Sequence, residues 1–434
     1  MPRRPTCEVV VTLGSPAQAA THGTAQAATQ AATAQAATQL TAWLEDRRNG
    51  VARPGASDRA DLLAELGRRL RDNEFPALAF WLRPANVAAL AALASGSQDG
   101  AVRSLARGTV AQFLPGNTPV LGAYTWSLSF LCGNRTALRL SSRTPAAELD
   151  TYSAILDLLA ERGLAASTTL VTADPDASDF QALAAAADVR LIWGSDATVE
   201  TIRRLPAAPS CHDVTFGDRQ SLAAIAAPAL LSLSADKLAA LASRFVAEVA
   251  WSQHQACSAP RAIIWIGDEQ ACDSAASRFT AAIEAVDNPL VTTLSAGGHL
   301  DRLTWAQLSV AQRSARGFTT LRNGLTLLDG TIAQRSDGTW PAGLIAVSAV
   351  AALPELAAYL SPSHQTLALF GFSGPECNAL LDRIAPASIR RIVPIGASHQ
   401  FGPVWDGYDL IDELTTKVLV AVTTKDLAPE GDRQ

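Results

Sequence analysis

The stretch Gln253–Pro260 contains the cysteine that is best suited to covalent chemistry, Cys257. Before it lies an amphipathic run over residues 235–251 with helical spacing, and after it an apolar run over residues 262–266 that is typical of a buried strand. A cysteine on such a helix-to-strand turn can be held rigidly and still be reached from a cleft. Cysteine is strongly nucleophilic, so Cys257 could attack a carbonyl carbon. The competing interpretation is a small buried hydrophobic residue, the common fate of a free cysteine.

Other polar residues follow predicted strands earlier in the chain. From Thr109 onward, short apolar strands alternate with helices, which predicts an α/β domain with a parallel, doubly wound sheet. Ligands bind at the carboxyl ends of the strands in such sheets. Asn117, Ser141 and the pair Gly194-Ser195 each follow a predicted strand, and we expect them to line one cleft.

Two α/β blocks supply the elements that position these residues. We interpret residues 108–234 as a cofactor-binding α/β domain and residues 235–396 as a second α/β domain, the catalytic one, that carries Cys257. The strands expected in the second block are residues 262–266, 343–347, 366–370 and 392–395.

The remaining segments differ from these blocks in composition. Residues 1–40 are a low-complexity Ala/Gln/Thr arm with few large apolar side chains, and we predict a frayed helix or a disordered segment without chemistry. Residues 41–107 have leucines at helical spacing and predict a helical N-terminal layer. Residues 397–434 form a tail with a predicted final strand over residues 417–422, the candidate element for oligomerisation.

Composition excludes several classes of protein. The 434-residue chain is 48% hydrophobic and 18% charged, so it can bury a large core, and its net charge of -6 gives no nucleic-acid footprint. Its six cysteines include no C-x-x-C pair, which argues against zinc and suits a reducing cytosol. The longest apolar tract, residues 222–233, contains Pro228 and is too short to span a membrane. Neither G-x-G-x-x-G nor G-x-x-x-x-G-K-S/T occurs, so neither of these nucleotide-binding motifs explains the first block.

Seven short segments occur in an order that is similar to that of the aldehyde dehydrogenase superfamily. Within it, the chain resembles the LuxC-like acyl-CoA reductases, the fatty-acyl reductase subunits of bacterial luminescence systems. Each segment alone is a weak signal, but the seven together are specific. The segments are Leu114–Pro119, Gly133–Ser142, Ile192–Ser195, Phe216–Ser221, Gln255–Pro260, Arg391–Gly396 and Trp405–Asp409.

This resemblance implies roles for individual residues. Cys257 matches the nucleophile that takes the acyl group from a thioester, and the side-chain amide of Asn117 matches a donor to the developing oxyanion, with the Cys257 N–H as the second donor. The alternative for Asn117 is an ordinary turn residue. Arg139 stands where many relatives carry a ribose-contacting lysine, and a guanidinium there favours NADPH over NADH. The alternative for Arg139 is a surface residue.

The same resemblance bears on the remaining cofactor residues and on His254, three residues before Cys257. Ser141 is a further cofactor-binding candidate, and Gly194-Ser195 match the turn that approaches the pyrophosphate and nicotinamide side. His254 could activate the thiol if the turn is helical, or it could simply be packed or exposed. We therefore leave it outside the catalytic set.

Two departures from the superfamily pattern bear on the reaction. Oxidising aldehyde dehydrogenases carry a water-activating glutamate in an E-L-G-G-K motif, but residues 215–218 here read Thr-Phe-Gly-Asp. Asp218 is close in sequence, so it stays an alternative candidate for the base that activates water. No segment matches the later E-x-F-G-P glutamate, because the similar residues 401–403 come too late, and the nicotinamide-side contacts are left unassigned.

The expected function is NADPH-dependent reduction of an acyl thioester to an aldehyde through an acyl-enzyme on Cys257. The carrier would be coenzyme A, an acyl carrier protein or an acyl-transferring partner protein, and we expect a cytoplasmic homo-oligomer with no metal, no nucleic-acid partner and no membrane span. One alternative is an aldehyde or semialdehyde dehydrogenase that works in the oxidative direction. The other is a non-catalytic partner subunit with the same fold.

Overall fold

The structure is a computed structural model that describes residues 40–45, 54–70, 76–95, 102–115, 120–141, 144, 146–330, 340–385 and 388–420. The predicted arm over residues 1–40 lies outside the described residues except for residue 40. Asn117 also lies outside them.

Helices occur throughout the described chain. In chain order the α-helices are α1 (residues 40–45), α2 (Ala56–Arg69), α3 (Pro76–Trp81), α4 (Pro84–Ala94), α5 (Val120–Leu131), α6 (Ala146–Glu161), α7 (Ser178–Ala186), α8 (Asp196–Arg203), α9 (Ala227–Leu231), α10 (Ala235–Ala250), α11 (Glu269–Glu284), α12 (Leu290–Thr293), α13 (Ala296–Ala311), α14 (Gly374–Leu381) and α15 (Leu410–Glu413). Short 3₁₀ helices cover Ala165–Ser167, Trp251–His254 and Leu353–Tyr359.

Strands begin after α4 and alternate with the later helices. In chain order they are β1 (Val102–Ala106), β2 (Thr109–Phe113), β3 (Arg135–Leu140), β4 (Thr168–Thr172), β5 (Val189–Trp193), β6 (His212–Phe216), β7 (Gln220–Ala226), β8 (Pro260–Ile266), β9 (Ala315–Thr320), β10 (Thr326–Gly330), β11 (Leu344–Val350), β12 (His364–Phe370), β13 (Arg391–Pro394), β14 (Val404–Trp405), β15 (Tyr408–Asp409) and β16 (Thr415–Leu419).

The described residues up to Thr215 and from Tyr408 onward form the first compact unit. Its main sheet has the order β4-β3-β2-β5-β6, with β2 parallel to both β3 and β5. The chain thus moves to one side of β2 and then returns to the other side, so that the strand order reverses between β2 and β5. Such a reversal is where doubly wound sheets bind their ligands, at the carboxyl ends of the strands.

Helices cover both faces of this first sheet. On one face, Phe180 of α7 and Ile202 of α8 share a core with Phe113 and Ile192 of the strands. On the other face, α5 is fixed by polar contacts, since Thr125 Oγ1 donates to Gln112 Oε1 of β2 at 2.7 Å. This arrangement confirms the predicted α/β class with a doubly wound sheet.

The second compact unit contains residues 216–407. Its sheet has the order β13-β12-β7-β8-β11-β10-β9, and neighbouring strands are parallel except β9 and β10, which are antiparallel. Side chains of β8 alternate between two cores: Ile263 and Trp265 face α10 and α11, whereas Ala262 and Ile264 face the core that contains residues of α13 and α14. A central strand that is buried on both faces explains the continuous apolar run at residues 262–266.

Two features differ from the organisation expected from the sequence. Residues 216–234 group with the second unit, because β7 pairs with β8 and β12. The interval expected to be a helical layer, residues 41–107, also contains the strand β1. β1 pairs in antiparallel fashion with β16, the tail strand, from Val102 opposite Leu419 to Ala106 opposite Thr415. Periodicity did not indicate β1, because its residues are largely exposed and lack an alternating apolar pattern.

Candidate active site

Cys257 lies on a turn, and the backbone between the preceding helix and this turn has an unusual conformation. Helix α10 ends at Ala250, and Ser252, Gln253 and His254 then adopt positive φ angles of 50°, 52° and 63°. Residues other than glycine rarely occupy this left-handed region, and each costs of the order of 1 kcal/mol or more. The surrounding contacts must therefore hold these three residues in place, and the turn that follows is positioned by them.

His254 supplies the main contacts that hold this strained segment. Its ring is fully buried; Nδ1 accepts a hydrogen bond from the Gly343 N–H at 3.0 Å, and Nε2 donates to the Pro260 carbonyl oxygen at 3.1 Å. Burial, helped by the charge of Arg261, lowers the pKa of His254 to about 3. The ring is therefore neutral at physiological pH and acts as a packed brace between two backbone segments, not as an imidazolium beside the thiol.

A second contact fixes the peptide on the far side of the nucleophile. Residues 256–259 form a turn closed by the Ala259 N–H and the Ala256 carbonyl at 3.1 Å. Ser221 Oγ of β7 donates to the Cys257 carbonyl oxygen at 2.7 Å and accepts from the Thr366 N–H of β12 at 3.2 Å. The Cys257 turn is thus tied to the amino-terminal ends of two parallel strands.

The residue after the nucleophile is tied to a buried histidine. His399 Nε2 lies 2.8 Å from the Glu248 carbonyl oxygen, and since a carbonyl only accepts, Nε2 carries the hydrogen. Nδ1 must then accept from the Ser258 hydroxyl at 2.9 Å. The Trp251 ring packs against His399 with centroids 4.5 Å apart, and burial lowers the pKa of His399 to about 4. This histidine is also neutral, and both of its nitrogens are occupied.

Glu248 anchors the loop that carries His399. Its Oε1 accepts from the N–H groups of Gly396 and Ser398 at 2.8 and 2.7 Å. Burial raises the pKa of the Glu248 carboxyl despite these two donors. Helix α10 therefore holds His399 through the backbone carbonyl of Glu248 and holds the loop through its side chain.

The electrostatic environment of Cys257 favours the neutral thiol at rest. The residue as a whole is partly exposed, but its sulfur is surrounded by enough protein that burial raises the pKa of the Cys257 thiol to about 11. The negative charge of Asp406 raises it further, whereas the charge of Arg261 and the N–H groups of Cys257 and Ser258 lower it. The protein therefore needs a way to remove the thiol proton before Cys257 can attack.

Two charged groups act on this thiol from different elements. Arg261, the second residue of β8, is largely buried, and desolvation lowers its pKa, opposed by the charges of Cys257 and the exposed Asp218. Asp406 has a side chain that is 1% exposed, with Arg219 Nε 3.4 Å from Oδ2 and Arg390 Nε 3.6 Å from Oδ1. Burial raises the pKa of the Asp406 carboxyl to about 6, although both arginines lower it.

The cofactor residues expected from the sequence lie at strand ends in the first unit. Gly194 directly follows β5, and Ser195 is exposed and caps α8 by accepting from the Thr198 N–H at 3.2 Å. Ser141 follows β3 and is half-buried. β2 and β5 flank the reversal of strand order, so Gly194 and Ser195 stand at the edge where a ligand is expected.

Arg139 is the penultimate residue of β3, and neighbouring groups orient it. Its Nε donates to the Ala173 carbonyl oxygen, just past β4, at 2.8 Å, and its guanidinium carbon lies 5.1 Å from the centroid of the Phe180 ring. The side chain is half-buried. Arg139 is therefore held in place at the carboxyl end of β3.

Several residues of the site were not singled out in the sequence. Ser221, Ser258, Glu248, His399 and Asp406 contact the Cys257 turn or act on it, yet most lie far from it along the chain. Ser221, Ser258 and Asp406 fall within the seven segments, and this position is the sequence signal that marks them. Within the described ranges, no three His, Cys, Asp or Glu side chains are grouped so as to hold a metal ion.

The chain has the fold of the aldehyde dehydrogenases. Aldehyde dehydrogenase 21 from Physcomitrella patens, in complex with the product succinate, matches with a TM-score of 0.65 and 12% identity over 88% of this chain and 89% of that chain. An NAD-dependent aldehyde dehydrogenase from Sinorhizobium meliloti matches with a TM-score of 0.65 and 14% identity over 91% and 88%. GapN from Methanocaldococcus jannaschii, complexed with NADP, matches with a TM-score of 0.62 and 12% identity over 89% and 93%. These matches confirm the predicted aldehyde dehydrogenase-like α/β fold.

A family model identifies the nearer resemblance. Residues 95–292 match the family described as Acyl-CoA reductase (LuxC). This segment includes β2, β3, β5 and Cys257, and it contains five of the seven segments on which the resemblance rests. The predicted resemblance to LuxC-like reductases is thereby confirmed.

A comparison with curated proteins returned no match. No helix in the described parts of the chain has both the length and the hydropathy that a membrane crossing needs.

Proposed function

We propose that the protein is an NADPH-dependent acyl-thioester reductase that forms an aldehyde through an acyl-enzyme on Cys257. The observation that carries this proposal is the fixed position of Cys257, on a turn held by Ser221 and His254 within the segment that matches the acyl-CoA reductase family. A free cysteine that served only as a small core residue would not need three strained residues before it. The substrate would be an acyl-CoA, an acyl carrier protein thioester or an acylated partner protein.

The residues of the turn provide the means for acylation. The Cys257 thiolate attacks the thioester carbonyl, the carrier thiol leaves, and the acyl group stays on sulfur. The Cys257 N–H is one donor to the developing oxyanion, and we propose Asn117, which lies outside the described residues, as the second. Ser221 holds the carbonyl of the Cys257–Ser258 peptide, whose N–H faces the sulfur and favours the thiolate.

The first unit has the features that a nicotinamide dinucleotide needs. The strand order reverses between β2 and β5, and the helix that follows β5 begins at the exposed Ser195, so its N-terminus can face an anionic pyrophosphate. A Cβ at Gly194 would come within 2.9 Å of Thr198, so this close turn requires glycine. These features fit the cofactor, and we propose that Arg139, Ser141, Gly194 and Ser195 hold it.

NADPH is the form of the cofactor that we propose. An NAD-dependent relative and one with bound NADP both have this fold, which supports a nicotinamide cofactor in general. Arg139 supports the phosphorylated form, because a held guanidinium at the end of β3 can bind a 2′-phosphate. When bound, NADPH would supply the hydride that converts the acyl group to an aldehyde.

The side chain at residue 215 supports the reductive direction. Thr215 occupies the region in which oxidising relatives carry a glutamate, and its Oγ1 lies 3.4 Å from the Tyr408 hydroxyl. A threonine hydroxyl cannot serve as the base that activates water. The neighbouring Asp218 is exposed, and its charge acts on Arg261. Hydrolysis of the acyl-enzyme should therefore be slow.

The proposal is tested by incubating the protein with NADPH and a panel of acyl-CoAs and acyl carrier protein thioesters, with mass spectrometry to detect aldehydes. We expect aldehyde from at least one thioester, and none from the Cys257→Ala variant. Cys272→Ala, which removes a buried thiol of α11, is the matched control and should keep the activity. Aldehyde formation by Cys257→Ala, or none by the native protein with any thioester, would refute the proposal.

A further inference from the structure

His399 joins the two ends of the segment that carries the nucleophile. Its Nε2 donates to the Glu248 carbonyl oxygen of α10 at 2.8 Å, and its Nδ1 accepts from the Ser258 hydroxyl at 2.9 Å. Glu248 precedes Cys257 in the chain, and Ser258 directly follows it. The ring therefore closes a loop around Cys257, with one hydrogen bond on each side of the nucleophile.

Neighbouring groups hold the His399 ring in place. The Trp251 ring packs against it with centroids 4.5 Å apart and an angle of 32° between the ring planes. Arg391 of β13 donates through Nη1 to the Ser398 carbonyl oxygen at 2.9 Å and through Nη2 to the Gln400 carbonyl oxygen at 2.7 Å. The backbone is thus fixed on both sides of the ring, and with it the position of the Nδ1 acceptor.

Ser258 passes this constraint to the peptide that follows the nucleophile. The residue is 2% exposed, and its hydroxyl must donate because Nδ1 of His399 carries no hydrogen. From another element, Ser221 Oγ donates to the Cys257 carbonyl oxygen at 2.7 Å. The Cys257–Ser258 peptide is therefore held at its carbonyl and through a side chain. The N–H of this peptide lowers the pKa of the Cys257 thiol, so its orientation affects the supply of thiolate.

The Ser258–His399 pair has the connectivity of a nucleophile and its base, but its surroundings exclude that use. Ser258 is almost fully buried, so its hydroxyl cannot reach an acyl substrate. Burial lowers the pKa of His399 to about 4, so the ring is a weak proton acceptor at neutral pH. The pair is suited to holding the turn in place and not to covalent chemistry.

We propose that His399 is a positioning residue for the reaction of Cys257, acting through Ser258 to fix the peptide that follows the nucleophile. This inference rests on the proposed function only in taking Cys257 as the nucleophile. A purely structural histidine would only cap α10 through the carbonyl of Glu248, which lies in the last turn of that helix. The second hydrogen bond, to the residue beside the nucleophile, gives His399 a role in reactivity as well.

Two substitutions separate the two hydrogen bonds of His399. Asparagine can place Oδ1 near the Nδ1 position and keep the contact with Ser258, whereas glutamine can place Nε2 near the ring Nε2 position and keep the contact with Glu248. We expect His399→Gln to slow alkylation of Cys257 by iodoacetamide about tenfold at about pH 8.5, because a hydrogen bond to a charged group contributes roughly that factor. His399→Asn should retain most of the native rate, although it loses the contact at the end of α10.

The pH profile of alkylation distinguishes positioning from a loss of folding. Peptide mapping follows the alkylation of Cys257, whose rate rises with the thiolate fraction. His399→Gln should displace the whole profile toward higher pH, since Arg261 and Asp406, the charged groups that act on the thiol, are unchanged. Ile283→Val, in the core beside α10, is the control. It should lower the melting temperature and leave the profile in place.

Alkylation of His399→Gln at the native rate or faster, or a larger displacement in His399→Asn than in His399→Gln, would overturn the proposal. Ser258→Ala provides a second test in case the histidine variants do not fold. It should displace the profile toward higher pH, and an unmoved profile contradicts the proposal. Alkylation requires no acyl substrate. Displaced profiles together with a native protein that reduces no thioester would therefore refute the reductase function and leave the role of His399 intact.

Discussion

At the scale of single residues, the reactivity of Cys257 depends on groups that contact its turn from other elements. Ser221 of β7 and His399 of a later loop make hydrogen bonds to this turn, and the negative charge of Asp406 raises the pKa of the thiol. The sequence predicted the turn and its cysteine correctly, because the helix before it and the strand after it have clear periodicity. It could not indicate the long-range partners, since pairing across the chain leaves no local pattern.

The brace formed by His254 predicts a specific pH dependence of stability. Its folded-state pKa lies below its usual value, so its contribution is present above about pH 6.5 and is lost as the pH falls toward about 3. His254→Phe keeps the ring but leaves the Gly343 N–H and the Pro260 carbonyl without partners, at about 1–3 kcal/mol for each group. Urea unfolding at several pH values should show that His254→Phe is less stable than the native protein at pH 8. Its free energy of unfolding should also fall less steeply than that of the native protein between pH 6.5 and 3. An equal pH dependence of the free energy of unfolding in the two proteins would contradict this role of His254.

Arg139 should determine the choice of cofactor. A charge-assisted contact with a 2′-phosphate contributes about 1.5–3 kcal/mol, or roughly ten- to a hundredfold in affinity. Arg139→Ala should therefore weaken NADPH by that factor and NADH much less. Cofactor titrations monitored by fluorescence measure both affinities on the same variant, so NADH is the internal control. Equal losses would mean that Arg139 only packs against Phe180 and the end of β4.

At the scale of elements, strands buried on both faces were predicted with fewer errors than exposed ones. β8, β11, β12 and β13 correspond to the expected strands, because they are short apolar runs in a parallel sheet. β1, β6, β7, β9 and β10 were missed, and β7 is an exception among the buried strands, because most of its residues fall in the apolar tract 222–233 that Pro228 interrupts. β1 and β9 are largely exposed, and the pattern of β10 is mixed, so their positions depend on pairing with neighbouring strands.

The turn from β5 into α8 is a second element that can be tested by substitution. Gly194→Ala would place a Cβ 2.9 Å from the Cβ and Cγ2 of Thr198, so α8 must shift. We expect a loss of about 1–3 kcal/mol in the free energy of unfolding, and weaker cofactor binding because the helix N-terminus moves. Gly374→Ala, with nothing within 4 Å of its Cβ, is the control and should change stability by less than about 0.5 kcal/mol. Unchanged stability and affinity in Gly194→Ala would show that the turn tolerates a side chain.

At the scale of the whole molecule, the described residues form two compact units, each with a mainly parallel sheet at its centre. The alternation of strands and helices predicted this class, but not the boundary at residue 216. β7 belongs with the second sheet through its pairing with β8 and β12, which the linear order of apolar runs does not reveal. In the first unit, the proposed cofactor residues Gly194 and Ser195 follow β5, next to the reversal of strand order. In the second unit, the turn that carries the nucleophile is held at the amino-terminal ends of β7 and β12.

The most direct test of the central claim is the intact mass of the protein after mixing with an acyl-CoA that it reduces, first without NADPH and then with it. Because Thr215 provides no carboxylate in the region where oxidising relatives carry the water-activating glutamate, we predict one added acyl group that peptide mapping locates on Cys257 and that persists without cofactor. Addition of NADPH should remove the group as aldehyde, and Cys257→Ala should never acquire it. Release of the acyl group as free acid before NADPH is added, or acylation at any other residue, would contradict the account.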